Sequence, residues 1–149
     1  MLKFPYAVSD FYKLITDHYF YVDRTASIPL LEEAGDHLLF LRPRRFGKSL
    51  LLSMLENYYD VAKASQFEKL FGHLAIGKQP TSKHNQYFVL KWDFSEVRPT
   101  GGDANEVWQA LCDHINGKIG RFQKTYRVWL QDEIVCKPDN AMYLFQSLL

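Results

Sequence analysis

A chain of 149 residues with 47% hydrophobic and 15% aromatic content carries enough apolar surface to build its own core, which excludes a disordered chain and leaves room for a single domain, 1–149. Its formal net charge of +1 supplies no whole-molecule field for nucleic acid or an acidic membrane, so any electrostatic role must be local. Cys112 and Cys136 are too few and too isolated for a disulfide framework or a zinc site, and no apolar run approaches a membrane span. No apolar core of a signal peptide follows Met1-Leu2-Lys3-Phe4-Pro5. A soluble, cytoplasmic protein with no membrane partner is the expectation.

In chain order, Ser9 or Asp10 caps a short helix through Phe11, Leu14 and Ile15 that ends near His18-Tyr19-Phe20-Tyr21. Thr25 or Ser27 opens a second helix, with Pro29 in its first turn and Gly35 as its stop. His37-Leu38-Leu39-Phe40-Leu41 reads as a buried strand, and Lys48 to about Asp60 as a long apolar helix. A short helix spans Gln66 to Phe71, closed by Gly72, and Gly77 to Asn85 is loop-like. Tyr87 to Phe94 is β-prone and reads as a second strand. After the Pro99-Thr100-Gly101-Gly102 turn, Asp103 and Glu106 form a capping box for a helix through Val107, Leu111 and Ile115. That pattern weakens at Gly117 and Gly120 and resumes from Phe122 to Leu130. Pro138 breaks the chain, Asp139 can cap, and Ala141 to Leu149 begins an apolar helix.

Between the first strand and the long helix lies Arg42-Pro43-Arg44-Arg45-Phe46-Gly47-Lys48-Ser49. Its tail is the end of a Walker A phosphate loop, G-x-x-x-x-G-K-[ST], with Arg42 in place of the opening glycine. A helix N-terminus offers unpaired N–H groups and a positive dipole end to phosphate, and Gly47 lets the backbone approach closely. Lys48 is suited to the β- and γ-phosphates, and the Ser49 hydroxyl to Mg²⁺. Arg44 and Arg45, with Arg42, add permanent charges able to grip phosphate oxygens in two-pronged fashion.

Arg42 to Leu50, together with Tyr21-Val22-Asp23-Arg24-Thr25, resembles the AAA-ATPase-like family of P-loop NTPases, whose members carry a "YVDKT" element, a strand, and then "RPRRFGKS". The resemblance runs from the Ser9-Asp10-Phe11 helix start through Phe67 to Phe71 and the Tyr87 to Phe94 strand. Arg42 is then the family's own variant, and Arg24 stands where a lysine is usual. It implies an α/β fold: a partial P-loop NTPase-like domain of parallel strands with flanking helices and an incomplete sheet. It also implies that the family's Walker B strand lies beyond the part this chain resembles, the N-terminal portion of the domain, and that longer members add a restriction-endonuclease-like nuclease domain.

The expected function is therefore ATP binding with Mg²⁺ through Arg44, Arg45, Phe46, Gly47, Lys48 and Ser49, with weak or partner-dependent hydrolysis and no recognisable catalytic residue. A second chain completing the fold would be the partner. The alternatives are a phosphate- or nucleic-acid-binding module built on the arginine loop, which net charge does not indicate, and a non-functional truncated remnant. Tyr21, Asp23 and Thr25 either border the nucleotide base or pack and cap locally. Asp93, at the end of an apolar run, reads as a turn-capping aspartate ahead of a Mg²⁺-holding one. Lys118, Arg121, Lys124 and Arg127 read as a solvated helix surface. The five histidines lack ligand spacing.

Overall fold

The structure, a computed structural model, describes residues 2–130. The chain divides into two compact units, Met1–Phe88 and Val89–Leu149. The first contains α1 (Phe11–Thr16), a 3₁₀ turn (Thr25–Ser27) continuing into α2 (Ile28–Glu33), α3 (Lys48–Tyr59), a 3₁₀ stretch (Val61–Gln66), α4 (Phe67–Phe71) and α5 (Ala75–Lys78). In the second, a 3₁₀ turn (Phe94–Glu96) precedes the long α6 (Ala104–Tyr126).

The helices begin and end for local reasons that the sequence carries. Asp10 caps α1, its carboxylate accepting the Lys13 N–H at 3.0 Å. At the other end His18 takes φ 55°. There its N–H reaches the Ile15 carbonyl at 3.1 Å and the Tyr19 N–H reaches Leu14 at 3.0 Å, the paired closure of a left-handed helix end. Pro29 sits in the first turn of α2, and Gly35, at φ 114°, follows its end. Asp103 caps α6 by accepting the Glu106 N–H at 2.7 Å.

The core of the first unit is aromatic. Phe11 of α1 stacks on Phe71 of α4 with ring centroids 5.2 Å apart, and Tyr58 of α3 meets Phe71 edge-on at 5.4 Å. Ile28, Met54, Leu70, Leu74 and Ile76 complete the buried cluster. Gly77 allows α5 to press against α4, since a Cβ there would lie 1.9 Å from the Phe71 carbonyl oxygen. In the second unit α6 buries Cys112, Ile115, Ile119 and Tyr126, a spacing that keeps them on one helical face. Trp92 and Leu111 pack on that stripe, and the Tyr126 hydroxyl accepts the Val89 N–H at 2.9 Å.

The expected α/β architecture is not what forms. Among the described residues there is no strand and no sheet, only isolated bridges at Lys3–Tyr19 and Asp60–Tyr87. His37 to Leu41, expected as a buried strand, has no bridging partner among the described residues. Its side chains stand open, Leu39 at 83% and Leu41 at 77% exposure. A parallel strand exists only through ladders to neighbours that bury both its faces, and β-prone composition alone supplies neither. In the second expected strand, Tyr87 pairs only with the exit of α3, accepting from Val61 N–H at 2.9 Å and donating to the Tyr59 carbonyl at 3.0 Å. That contact is one residue wide and starts no ladder.

Two helices also differ from expectation. α5 runs from Ala75 into the first two residues of the segment expected to be loop-like, and α6 runs through Gly117 and Gly120 without a break. Cys136, Pro138, Asp139 and the expected Ala141 to Leu149 helix lie outside the described residues.

Candidate functional site: a basic loop at the start of α3

The Arg42–Ser49 loop opens α3 through two left-handed residues, Arg45 at φ 67° and Gly47 at φ 78°. Gly47 is the helix's N-cap residue, and its carbonyl accepts the first helical bond from the Leu51 N–H at 2.8 Å. A Cβ at Gly47 would meet nothing within 4 Å, so it is backbone conformation that calls for glycine there. Among the described residues no side chain caps the N-terminus of α3, which leaves its first-turn N–H groups without a side-chain acceptor there. Left-handed residues beside helical ones turn successive N–H groups toward one side, a concavity that favours anions.

The charges around the loop share one sign. From His37 to Leu55 the chain holds Arg42, Arg44, Arg45 and Lys48 and no acidic residue. The Lys48 ammonium folds back onto the loop, donating to the Arg42 carbonyl and, at 3.2 Å, to that of Pro43. The Arg42 guanidinium lies 5.6 Å from the centre of the Phe40 ring. Arg44 and Arg45 make no ion pair among the described residues, and the Ser49 hydroxyl is exposed. Phe46 is 63% exposed. All six residues expected to contact the ligand thus fall within one turn of chain, five of them exposed and Lys48 half-buried.

The second sequence element behaves in the opposite way. Asp23 accepts from the Thr25 N–H at 2.8 Å, from the Thr25 hydroxyl at 2.7 Å and, 52 residues along the chain, from the Ala75 N–H at 2.7 Å. The Thr25 hydroxyl accepts from the Ile76 N–H at 3.2 Å. The pair therefore caps α5 across the unit. Burial acts to raise the Asp23 pKa, but the hydrogen bonds from Ala75 and Thr25, with His73 nearby, outweigh it and hold the carboxyl below its ordinary range. Tyr21 packs edge to face on Phe11, and its hydroxyl reaches Met54 Sδ at 3.5 Å. Of the two readings left open for these residues, packing and capping is the one the geometry fulfils.

Asp93 likewise serves as a cap, accepting from the Ser95 hydroxyl at 2.6 Å and the Ser95 N–H at 3.0 Å. These bonds hold its carboxyl below the usual range. Sequence reasoning missed a polar cluster on Glu32, whose carboxylate accepts from Tyr59 at 2.9 Å and Thr81 at 2.8 Å. Burial first, then the Glu32 carboxylate, push the Tyr59 hydroxyl upward in pKa. No local pattern signals these pairings. In the second unit a groove of about 370 Å³ is lined by Glu96, Arg98, Glu106, Asp113 and His114 among others. Glu96 is committed to Lys118 at 2.8 Å and Asp113 to Gln109 at 3.2 Å. Among the described residues no group of three or more His, Cys, Asp or Glu side chains could hold a metal, and no helix is long and apolar enough to cross a membrane.

The first unit is thus a small helical body that presents a basic turn at a helix start. The chain belongs to the AAA-ATPase-like family, described as "Predicted AAA-ATPase", whose model matches residues 5–147. A curated protein of Azotobacter chroococcum mcd 1, described as an "uncharacterized protein in vnfD 5′ region", is 43% identical over 98 residues, covering 65% of this chain and 16% of that protein. The matched stretch is therefore a small part of that relative's length. No solved structure gives a significant match.

Proposed function

We propose that the chain binds the phosphate groups of a nucleotide, ATP with Mg²⁺, through the Arg42–Ser49 loop. The observation that carries the reading is the pairing of Gly47 in the left-handed conformation with an uncapped α3 N-terminus. Family membership supports it. The donor set fits a polyphosphate: first-turn N–H groups, the Lys48 ammonium and the Arg44 and Arg45 guanidiniums, which make no ion pair among the described residues. Lys48, now held by two loop carbonyls, would exchange them for phosphate oxygens. Ser49 would offer its hydroxyl to a Mg²⁺ whose remaining ligands are phosphate oxygens and water. Phe46 would flank the bound group as part of the same turn.

Hydrolysis by the isolated chain would be weak or dependent on a partner, because the sequence offers no recognisable residue to orient or activate the attacking water. A partner chain that completes the site is part of this reading.

Calorimetric titration of the protein with ATP and Mg²⁺ tests it. Lys48→Ala is expected to weaken binding by at least about tenfold, the worth of one charge-assisted hydrogen bond, and Ser49→Ala to remove the Mg²⁺ dependence. Equal affinity in wild type and Lys48→Ala would overturn the proposal. Binding that ignores Mg²⁺ and Ser49 and falls steeply with salt in the presence of single-stranded nucleic acid would reassign the loop to nucleic-acid phosphates.

A further inference from the structure

The segment from Phe11 to Thr25 is fastened to two helices at once. On one side it braces α3: Ser53 Oγ accepts the Phe11 N–H at 3.0 Å, and the Tyr21 hydroxyl reaches Met54 Sδ at 3.5 Å. On the other it is latched to α5 by Asp23, which holds the Ala75 N–H, and by Thr25, which holds the Ile76 N–H. Thr25 is fully buried, so its hydroxyl has no water to exchange for these partners. The latch spans two stretches of chain that lie far apart in sequence and has no part in the basic loop.

We propose that Asp23 and Thr25 are positioning residues for the phosphate site: the latch holds the brace, the brace fixes α3, and α3 carries Gly47, Lys48 and Ser49 at its start. This rests on the phosphate-binding reading above. Met54 follows Gly47 by seven residues, about 10 Å of continuous helix, so a shift of the brace moves the first turn with it. The same Met54, with Tyr58, joins Ile76 in one buried cluster, which gives the latch a second route to α3 through packing. The charged group acting on Asp23 is His73, from the stretch before α5, while on its own segment Asp23 and Arg24 both act on Tyr21. None of them replaces the carboxylate as acceptor for Ala75.

The test titrates inorganic tripolyphosphate into wild type, Lys48→Ala, Asp23→Asn, Thr25→Val and Thr25→Ser at neutral pH, and follows amide exchange along α3. Thr25→Val keeps the shape of the side chain and loses the hydroxyl; Thr25→Ser keeps the hydroxyl. The expected result is a loss of about fivefold in affinity for Asp23→Asn and Thr25→Val, the size of a modest coupling between sites. Exchange of the Leu51–Leu55 amides, the first to be hydrogen-bonded within α3, should quicken in both, and Thr25→Ser should remain close to wild type. Variants that melt earlier yet bind as wild type would overturn the proposal, leaving the latch purely structural. Equal losses in Thr25→Val and Thr25→Ser would overturn it too, because the hydroxyl would then be irrelevant. If wild type fails to bind, or Lys48→Ala binds equally well, the phosphate reading itself falls. Should Asp23→Asn not fold, the two Thr25 variants decide alone.

Discussion

Asp23 with Thr25 and the Arg42–Ser49 loop are the two charged elements that mark this chain, and they are built on opposite terms. The Asp23 carboxylate accepts three hydrogen bonds from inside the molecule, and the Thr25 hydroxyl both donates and accepts. In the loop, two guanidiniums have no carboxylate among the described residues, Lys48 turns back on its own carbonyls, and two residues occupy the left-handed region. A polar group whose partners are all internal stabilises the fold; one left without internal partners, on a strained backbone, is available to a ligand. Changes in the latch should therefore read out first in stability and reach binding only through α3, whereas changes in the loop read out chiefly in binding.

The largest effect anchors the stability side. Phe71→Ala removes a fully buried ring that stacks on Phe11 and meets Tyr58 edge-on, and should cost about 3–5 kcal/mol by urea unfolding. Thr25→Val comes next. It leaves the Ile76 N–H without its acceptor in a buried place, a loss of about 1–3 kcal/mol. If Thr25→Val were as stable as wild type, the internal satisfaction of the latch would be worth nothing and the contrast with the loop would fail.

Acid sharpens the same contrast. The folded pKa of Asp23 is depressed below the ordinary aspartate value of 3.8. The unfolded chain therefore takes up the proton first as pH falls. The group's contribution is fully present above that ordinary value and is lost as pH drops through the folded pKa. Asp23→Asn should flatten this acid limb of the stability profile while leaving the neutral and alkaline part parallel to wild type. A variant whose acid limb matched that of wild type would show that the carboxylate is not the acid-sensitive element.

What the sequence discloses of this molecule follows the range of the interactions. The loop, the Asp10 cap, the Asp103 cap and the extent of α3 depend on neighbours within a few residues, and each is legible from local pattern. The same pattern misleads at His37 to Leu41 and Tyr87 to Phe94. An apolar β-prone run looks alike whether or not a ladder forms, and the pairing decision is made by residues far away in the chain. The latch was only half legible for a related reason. Asp23 and Thr25 announce a cap, but their partners Ala75 and Ile76 lie 52 and 51 residues on, and the second half of α5 falls where the polar run from Gly77 reads as a loop. The Glu32 cluster joins residues 27 and 49 positions apart, and no spacing rule reaches that far.

The smallest change is the most discriminating, because its two consequences carry opposite signs. Arg45 holds φ 67°, where a Cβ crowds the following carbonyl and costs about 1–2 kcal/mol relative to a residue without one. Its side chain returns none of this through an ion pair, since none is made among the described residues. Arg45→Gly should relieve the strain, though the greater freedom of glycine in the unfolded chain takes back about 0.5–1 kcal/mol. The net expectation is a protein equal to or slightly more stable than wild type that nevertheless binds ATP several-fold more weakly. Arg45→Lys separates the two contributions, keeping the strain and a charge while losing the two-pronged grip on phosphate. A loss of stability in Arg45→Gly with binding untouched would mean that the arginine is held for the fold, and would place this part of the loop with the latch.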